Sequence, residues 1–567
     1  MCGISGYIGN NLNQGALSER IKEACEQIRH RGPDSQGYFI DSGVALGATR
    51  LAIRDPALGK QPISYRGFTL VFNGELYDTN PLKKKLKRKG YFLKTTCDTE
   101  LFLYAFIEYG VAILPELNGM FAFAVWDQNK RTLYLGRDRW GEKPLYFTAQ
   151  KDFIAFSSEI SALKVWPTIE WTPRLEDLNL FLQNSYIPGN RTGWKDIFKL
   201  EPATFLMWNE EKLEKKTYFF PSLEQKESHP ERLYSILNKS VKDCLISDKP
   251  VGIFLSGGLD STTIATLASQ HTTDLTLFSI DWENLGFSEK TYISEAVKQL
   301  NIKHFKTYCP PSFIENHFEQ LVKIYGEPFA DESMFPCYCL AHLAKKHVDV
   351  VLTGDGADEF FHGYERYFYE GSNADYHDIF SAMPFVIRKS IYSEDLKSFL
   401  RSNSDYGDSH SFQLRPYRAR SWNDIHTYLP NDILTKMDRA TMGVGLEARA
   451  PFLMPAITNF ALSCPDSSLI GTTCQGKKIL RQAMKHIVPD SILKRKKMGF
   501  GVPFNEWFCS PLKDWMISRI LEGKLIQTGW FSTQGLNELI TTHLSGEKNV
   551  SRSLLNLLVL ETWLSIN

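Results

Sequence analysis

A change of rhythm after residue 205 limits the fold of this chain more than any other feature. Before it, short β-rich runs are punctuated by Gly, Asn and Asp, as in GYFIDSGVALGATRLAI, FTLVFNGELYD and MFAFAVWDQNKRTLYLGRD. Such runs, joined by turn residues like those of Asp127-Gln-Asn-Lys130, predict antiparallel sheets. Helical patterns over 20–29 and 99–110 make this an α+β layered sandwich. The stretch MWNEEKLEKKTYFFPSLEQKESHPER then gains charge and proline and reads as a linker. Beyond it, apolar runs alternate with helices: PVGIFL (250–255), STTIATLASQ, LTLFSID (275–281), a helix around 288–300, KHFKTY (303–308) and VDVVLTGD (348–355). That order predicts an α/β doubly wound parallel sheet, followed from about residue 370 by a helical C-terminal part. The expected divisions are 2–205, a linker at 206–231, and 232–567.

At 567 residues the chain exceeds a single core. Lys+Arg and Asp+Glu both number 65, so no global charge favours nucleic acid or an anionic membrane. No apolar run reaches the ~18–20 residues that cross a bilayer, and the start lacks the basic-then-apolar pattern of a signal peptide. The 10 cysteines are scattered without a CxxC pair, which supports neither zinc nor a disulfide framework. The expected location is cytoplasmic, with small-molecule partners.

Two loops carry chemistry. SGGLDS (256–261) follows a strand and opens a helix, where such folds bind anions. Its glycines let the backbone approach a phosphate, and Ser256 and Ser261 add hydroxyls. The Gly-Lys-Ser/Thr ending of a Walker A loop is absent. Asp260 would repel an anion unless a cation bridges them, as Mg²⁺ does between carboxylates and phosphates. LTGDGADEFFHGYERY (352–367) follows another apolar strand and gathers Asp355, Asp358 and Glu359 in one glycine-rich turn. For each stretch alone the alternative is structural, a glycine-rich turn for the first and a solvated acidic turn for the second; at neighbouring strand ends they read together as an ATP–Mg²⁺ site.

The pair resembles the pyrophosphate-loop ATPases that adenylate a substrate. With YLPNDILTKMDRATMGVGLEARAPFL (428–453), KKILR (477–481) and KKMGFGVP (496–503), the second half is similar to the asparagine synthetase family. CGISGYIG, HRGPDSQG (30–37), TRLAI (49–53), FNGELYD (72–78), CDTE (97–100) and RDRWGEKPLYF (137–147) resemble the glutaminase domain of N-terminal-nucleophile amidotransferases. The resemblance implies an N-terminal-nucleophile layered sandwich for 2–205 and an ATP-dependent synthetase domain for 232–567. It also implies the roles of residues. Cys2, exposed by removal of Met1, is the nucleophile, with its own α-amine as base. Asn73 and the Gly74 N–H form the oxyanion hole. Arg50 holds the glutamine carboxylate, and Glu75 and Asp98 its ammonium.

In the second half the resemblance assigns Leu255 and Ile280 to the adenine and ribose pocket. It gives Ser256, Gly257, Gly258, Asp260, Ser261, Thr353 and Gly354 to the nucleotide, and Asp260 and Asp358 to Mg²⁺. Lys477 neutralises the phosphates, and Asp355 stands at a position tied to ammonia attack, where many relatives carry Glu. Aspartate is the implied acceptor. Two features leave room for another carboxylate such as a uronic acid: PFADESMFP (328–336) is acidic where some relatives are basic, and Met454 replaces an Asp common after APFL. A non-catalytic binding protein with this fold is a third reading. The basic run KKKLKRKG (83–90) reads as a solvated helix face, KRKK (494–497) as a border of the active site, and His30 as a structural loop residue. Homodimers are common in the family, by analogy alone.

Overall fold

The computed structural model describes residues 2–281, 289–371, 376, 378–402, 416–471, 475–496, 499 and 501–567. Lys497, Met498 and Phe500 of the KKMGFGVP and KRKK runs, and residue 288 of the expected helix, lie outside them. Two sheets of six antiparallel strands stand face to face in the first part. One has the order β10 (Phe198–Lys199), β8 (Tyr146–Ala149), β9 (Phe153–Ser157), β1 (Cys2–Gly9), β3 (Val44–Arg50) and β2 (Ser35–Asp41). The other has the order β12 (Leu213–Thr217), β11 (Thr204–Trp208), β7 (Thr132–Arg137), β6 (Gly119–Asp127), β5 (Phe68–Leu76) and β4 (Ile63–Tyr65).

The period-two alternation of the strands separates two cores. Ala122, Ala124 and Trp126 of β6 join Ile4, Ile8 and Leu46 between the sheets. Their neighbours Phe121, Phe123 and Val125 pack outward with Phe102 and Phe106 of the helix Asp98–Tyr109. The helix Gln14–Gln27 covers the other sheet through Leu17 and Ile21, which meet Tyr7. The result is the expected α+β sandwich. It extends past residue 205, where the linker was expected to begin. Strands β11 and β12 pair in register from Thr204–Thr217 to Trp208–Leu213. LEKKT of β12 was hidden in the sequence because it is a charged, exposed edge strand, as edges that resist aggregation are.

The third sheet is parallel, in the order β15 (Lys303–Tyr308), β14 (Thr276–Asp281), β13 (Val251–Phe254), β16 (Val350–Leu352) and β17 (Glu447–Arg449). The strand order reverses between β13 and β16, so their carboxyl ends open a crevice at a topological switch point. The remainder is helical. The final helix Ser551–Ile566 is apolar on most sides and is buried without a break from Ser553 to Trp563. One apolar cluster runs from Tyr7 and Trp166 of the first part to Phe318 and Trp563 of the second. No helix among the described residues is long and apolar enough to cross a membrane.

Candidate active sites

Cys2 begins β1 and is buried, with 6% exposure. Its backbone N–H donates to Asn73 Oδ1 at 3.2 Å, reaching from β5 of the facing sheet. Asn73 is fully buried, and its Nδ2 has no acceptor among the described residues. A buried, unpaired amide donor beside a thiol is costly unless a ligand oxygen completes it. Gln61, to which the sequence assigns no role, extends Nε2 to within 3.4 Å of Cys2 Sγ. It is pinned by exchanging bonds with Phe72: Nε2 to O at 2.8 Å and Oε1 from N at 2.6 Å. Burial raises the Cys2 thiol above its ordinary range, opposed by the N-terminal ammonium, the Leu51 N–H and Arg50. The resting thiol is therefore protonated.

Arg50 lies opposite Cys2 in the β1–β3 register. Three of its guanidinium bonds go to the carbonyls of Arg54, Asp55 and Pro56, at 3.0, 2.7 and 2.9 Å. These fix its plane beside Cys2. Asp98 opens its helix and accepts the Leu76 N–H at 2.8 Å. Gly74 sits between Asn73 and Glu75 on β5, against Phe121 of β6. Glu75 is placed near Asp98, yet its Oε1 is bound by Arg54 at 2.6 Å. Its Oε2 faces Arg449 of the second part at 3.7 Å. Burial, with Asp98 nearby, pushes Glu75 up to about 8 against the pull of Arg449 and Arg54. Arg54 went unremarked in the sequence because its partner is distant in the chain.

The second site lies at the switch point. Leu255, Ser256, Gly258, Asp260, Ser261, Ile280, Thr353, Gly354, Asp355, Asp358 and Lys477 line one cavity of ≈1410 Å³. Gly257 stands behind its loop at φ +71°, where a Cβ would come within 2.9 Å of Ile293 N. Ser256 and Ser261 join through their hydroxyls at 3.0 Å and tie the loop to the start of the helix Leu259–Ser269. Gly354 lets the second loop approach the first, since a Cβ there would lie 2.9 Å from Asp260 Cβ. Thr353 donates to Asp355 Oδ2 at 2.8 Å.

Lys477 Nζ lies 2.6 Å from both Asp260 and Asp358. Lys477 itself is left-handed, at φ +60°, and its N–H is held by Phe361 O at 2.8 Å. Two carboxylates brought together from adjacent strand ends are hard oxygen donors that suit Mg²⁺. No group of three or more His, Cys, Asp or Glu that could hold a metal occurs among the described residues. Few protein ligands are what Mg²⁺ takes when phosphates complete its shell.

Met454 does not reach this cavity's lining. It is the N-cap of the helix Pro455–Ser463, makes no side-chain cap, and is buried among apolar neighbours such as Leu453 and Ile457. The acidic stretch does reach it: Asp331, Glu332 and Ser333 line the cavity, with Asp432 and Lys436 from the 428–453 motif. His30 pairs with Glu159 at 3.0 Å rather than with Cys2. In the basic run, Lys85 and Lys89 pair with Glu116 and Glu108 on the surface.

Comparison with known proteins agrees with both halves. The asparagine synthase family model matches residues 232–565, and the glutamine amidotransferase domain model matches residues 1–219. Asparagine synthetase [glutamine-hydrolyzing] 1 of Bacillus subtilis (strain 168) is 32% identical, covering 100% of this chain and 97% of its own length. A putative asparagine synthetase [glutamine-hydrolyzing] of Mycobacterium tuberculosis (strain ATCC 25618 / H37Rv) is 30% identical over the same shares. Amidase chry2 of Gibberella zeae is 25% identical, covering 94% of each. This chain, a glutamine amidotransferase domain joined to an ATP-using synthetase domain, belongs to the asparagine synthase family of glutamine-hydrolysing ligases.

Proposed function

We propose that the protein transfers ammonia from glutamine to a carboxylic acid activated by ATP, with aspartate as the acceptor and asparagine as the product. The observation that carries this reading is the unpaired Nδ2 of Asn73 beside Cys2, a donor waiting for an oxyanion. Once Met1 is removed, the α-amine of Cys2 takes the thiol proton and sulfur attacks the glutamine amide carbon. Asn73 and the Gly74 N–H hold the oxygen as charge develops, ammonia leaves, and water releases glutamate from the thioester. Asp98 and Glu75 take the glutamine ammonium, and Arg50 its carboxylate.

At the second site an acceptor carboxylate oxygen attacks the α-phosphorus of ATP, and pyrophosphate leaves. The loop 256–261 cradles the phosphates and Lys477 offsets their charge. Asp260 and Asp358 would hold Mg²⁺, which supplies charge neutralisation when bound. Ammonia then attacks the acyl carbon and AMP departs, with Asp355 positioned on the cavity wall to take a proton. Ammonium is not nucleophilic, so ammonia must pass between the sites shielded from water. The acidic stretch at 331–333 supports a second reading, in which the acceptor is a different carboxylic acid.

The test is pyrophosphate release with ATP, aspartate and either glutamine or ammonium chloride. Cys2→Ala should lose the glutamine-dependent reaction and keep the ammonia-dependent one. Loss of both would defeat the two-site reading.

A further inference from the structure

Arg449 is a residue of the second part that reaches the pocket around Cys2. It lies on β17 and is fully buried, as is its neighbour Glu447. Leu352 of β16 stands opposite it in the parallel register, and its carbonyl accepts the Thr353 N–H at 2.9 Å. The sheet therefore fixes the backbone from which the guanidinium extends, and a strand places a side chain more precisely than a loop does.

The Arg449 Nε donates to Glu447 Oε1 at 2.7 Å, and Nη1 donates to the carbonyls of Cys244 and Ile246, both at 2.7 Å. Nη2 is buried without a hydrogen-bond partner among the described residues, and it faces Glu75 Oε2 across 3.7 Å. The segment whose carbonyls Arg449 holds docks in turn on the first part. Asp248 Oδ2 accepts the Asp55 N–H at 2.8 Å, and the Asp248 N–H donates to Ile53 O at 3.1 Å. Residues 54–56 supply the three carbonyls that orient Arg50, and Arg54 binds the other oxygen of Glu75. Arg449 thus acts on Glu75 directly and, through 244–248, on the loop that holds Arg50.

The charged groups around Glu75 are Asp98, Arg54, Arg449 and Glu447. Burial and Asp98 favour its neutral form, and Arg449 and Arg54 oppose them. Without Arg449, a buried carboxyl beside Asp98 keeps a single opposing cation and is driven further toward the neutral acid. A neutral acid holds an ammonium far less well than a carboxylate does.

We propose that Arg449 is a positioning residue for glutamine, supplied to the glutaminase pocket by the synthetase domain. The inference rests on the roles given above to Glu75 and Arg50 and extends them across the domain boundary. Loss of Arg449 acts on glutamine binding, because Cys2 and Asn73 keep their own contacts.

The test follows glutamate production by the full-length protein over a range of glutamine concentrations, with far-UV circular dichroism to verify folding. Arg449→Met, similar in length and uncharged, should raise the KM for glutamine about tenfold or more, as loss of a buried charge-assisted contact does, with kcat within about threefold of wild type. Arg449→Lys, which keeps the charge, should recover part of that rise. Asp248→Ala, at an exposed position, removes only the side-chain tie to Asp55 and should raise KM about threefold.

An unchanged KM in Arg449→Met, a fall in kcat alone, or a KM no lower in Arg449→Lys than in Arg449→Met overturns the inference. Should Arg449→Met not fold, Asp248→Ala decides: a raised KM supports the inference and an unchanged one overturns it. Glu75→Gln separates this result from the reading beneath it. An unchanged glutamine KM in Glu75→Gln removes Glu75 from the pocket and this inference with it. A raised KM there, beside an unchanged one in Arg449→Met, overturns the role of Arg449 alone.

Discussion

In the proposed glutamine hydrolysis, Asn73 is the residue whose geometry is most specific. Its Oδ1 accepts from the Cys2 N–H while Nδ2 stays unpaired, so the amide is oriented before substrate arrives. Asn73→Ala should lower glutaminase kcat by about 10²–10³-fold, the usual cost of one oxyanion donor. Steady-state glutamate production measures this, and a loss below tenfold would remove Asn73 from that role. The proposed use of the Cys2 amine as the base gives a second expectation. An N-terminal extension that blocks Met1 removal should silence glutamine hydrolysis, because the raised thiol then has no adjacent base. Hydrolysis by such an unprocessed form, verified by mass spectrometry, would refute it.

At the scale of elements, the crevice depends on how closely two strand-end loops approach. Gly354 permits that approach, with Asp260 Cβ 2.9 Å and Ser261 N 3.2 Å from where its Cβ would stand. Gly354→Ala must push backbone or a strand-end carboxylate aside, and overpacking of this kind costs about 1–3 kcal/mol. The KM for ATP should therefore rise about tenfold in pyrophosphate release; an unchanged KM would show that the loops can part freely. Strand β12 teaches a different lesson. Its charged sequence hid it, because an edge strand exposes one side to water and lacks the apolar alternation of an inner strand. The inner strands β5 and β6 were readable from their own residues because both of their faces are buried.

Across the whole molecule, the two halves meet in a buried ion cluster. Arg31 of HRGPD reaches Glu159 at 2.8 Å and Asp438 of the second part at 2.8 and 3.0 Å. Its Nε donates to the Cys2 carbonyl at 3.3 Å. Arg439 also binds Glu159 at 2.8 Å, and Lys143 lies 3.6 Å from Asp438. Asp438→Asn leaves these cations under-neutralised and should cost about 3–5 kcal/mol, read as a lower urea midpoint. Burial alone would raise both carboxyls. For Glu159 it is overcome chiefly by His30, Arg439 and Arg31; for Asp438, chiefly by Arg31, Lys143 and Arg439.

Their folded values are thus depressed, so the unfolded chain binds more protons. Their stabilisation is full above the ordinary values of 4.5 and 3.8 and is lost as pH falls from there through the folded values. Stability should drop steeply from about pH 5 downward in the wild type and less steeply in Asp438→Asn. Parallel slopes would place the acid sensitivity elsewhere.

The sequence by itself determined the two architectures and the two glycine-rich loops at strand ends, while the roles proposed for the residues around Cys2 rest on motifs shared with a family. Each of these is written in local periodicity or in a contiguous motif such as SGGLDS or FNGELYD. Tertiary structure alone decided that Gln61 meets the Cys2 sulfur, that Arg54 takes Glu75, and that Lys477 joins Asp260 to Asp358. It also decided that Met454 faces the core while Asp331, Glu332 and Asp432 face the cavity. The reason is that side-chain direction and pairing between residues far apart in the chain depend on how sheets and helices stack, and no local run of residues encodes that stacking.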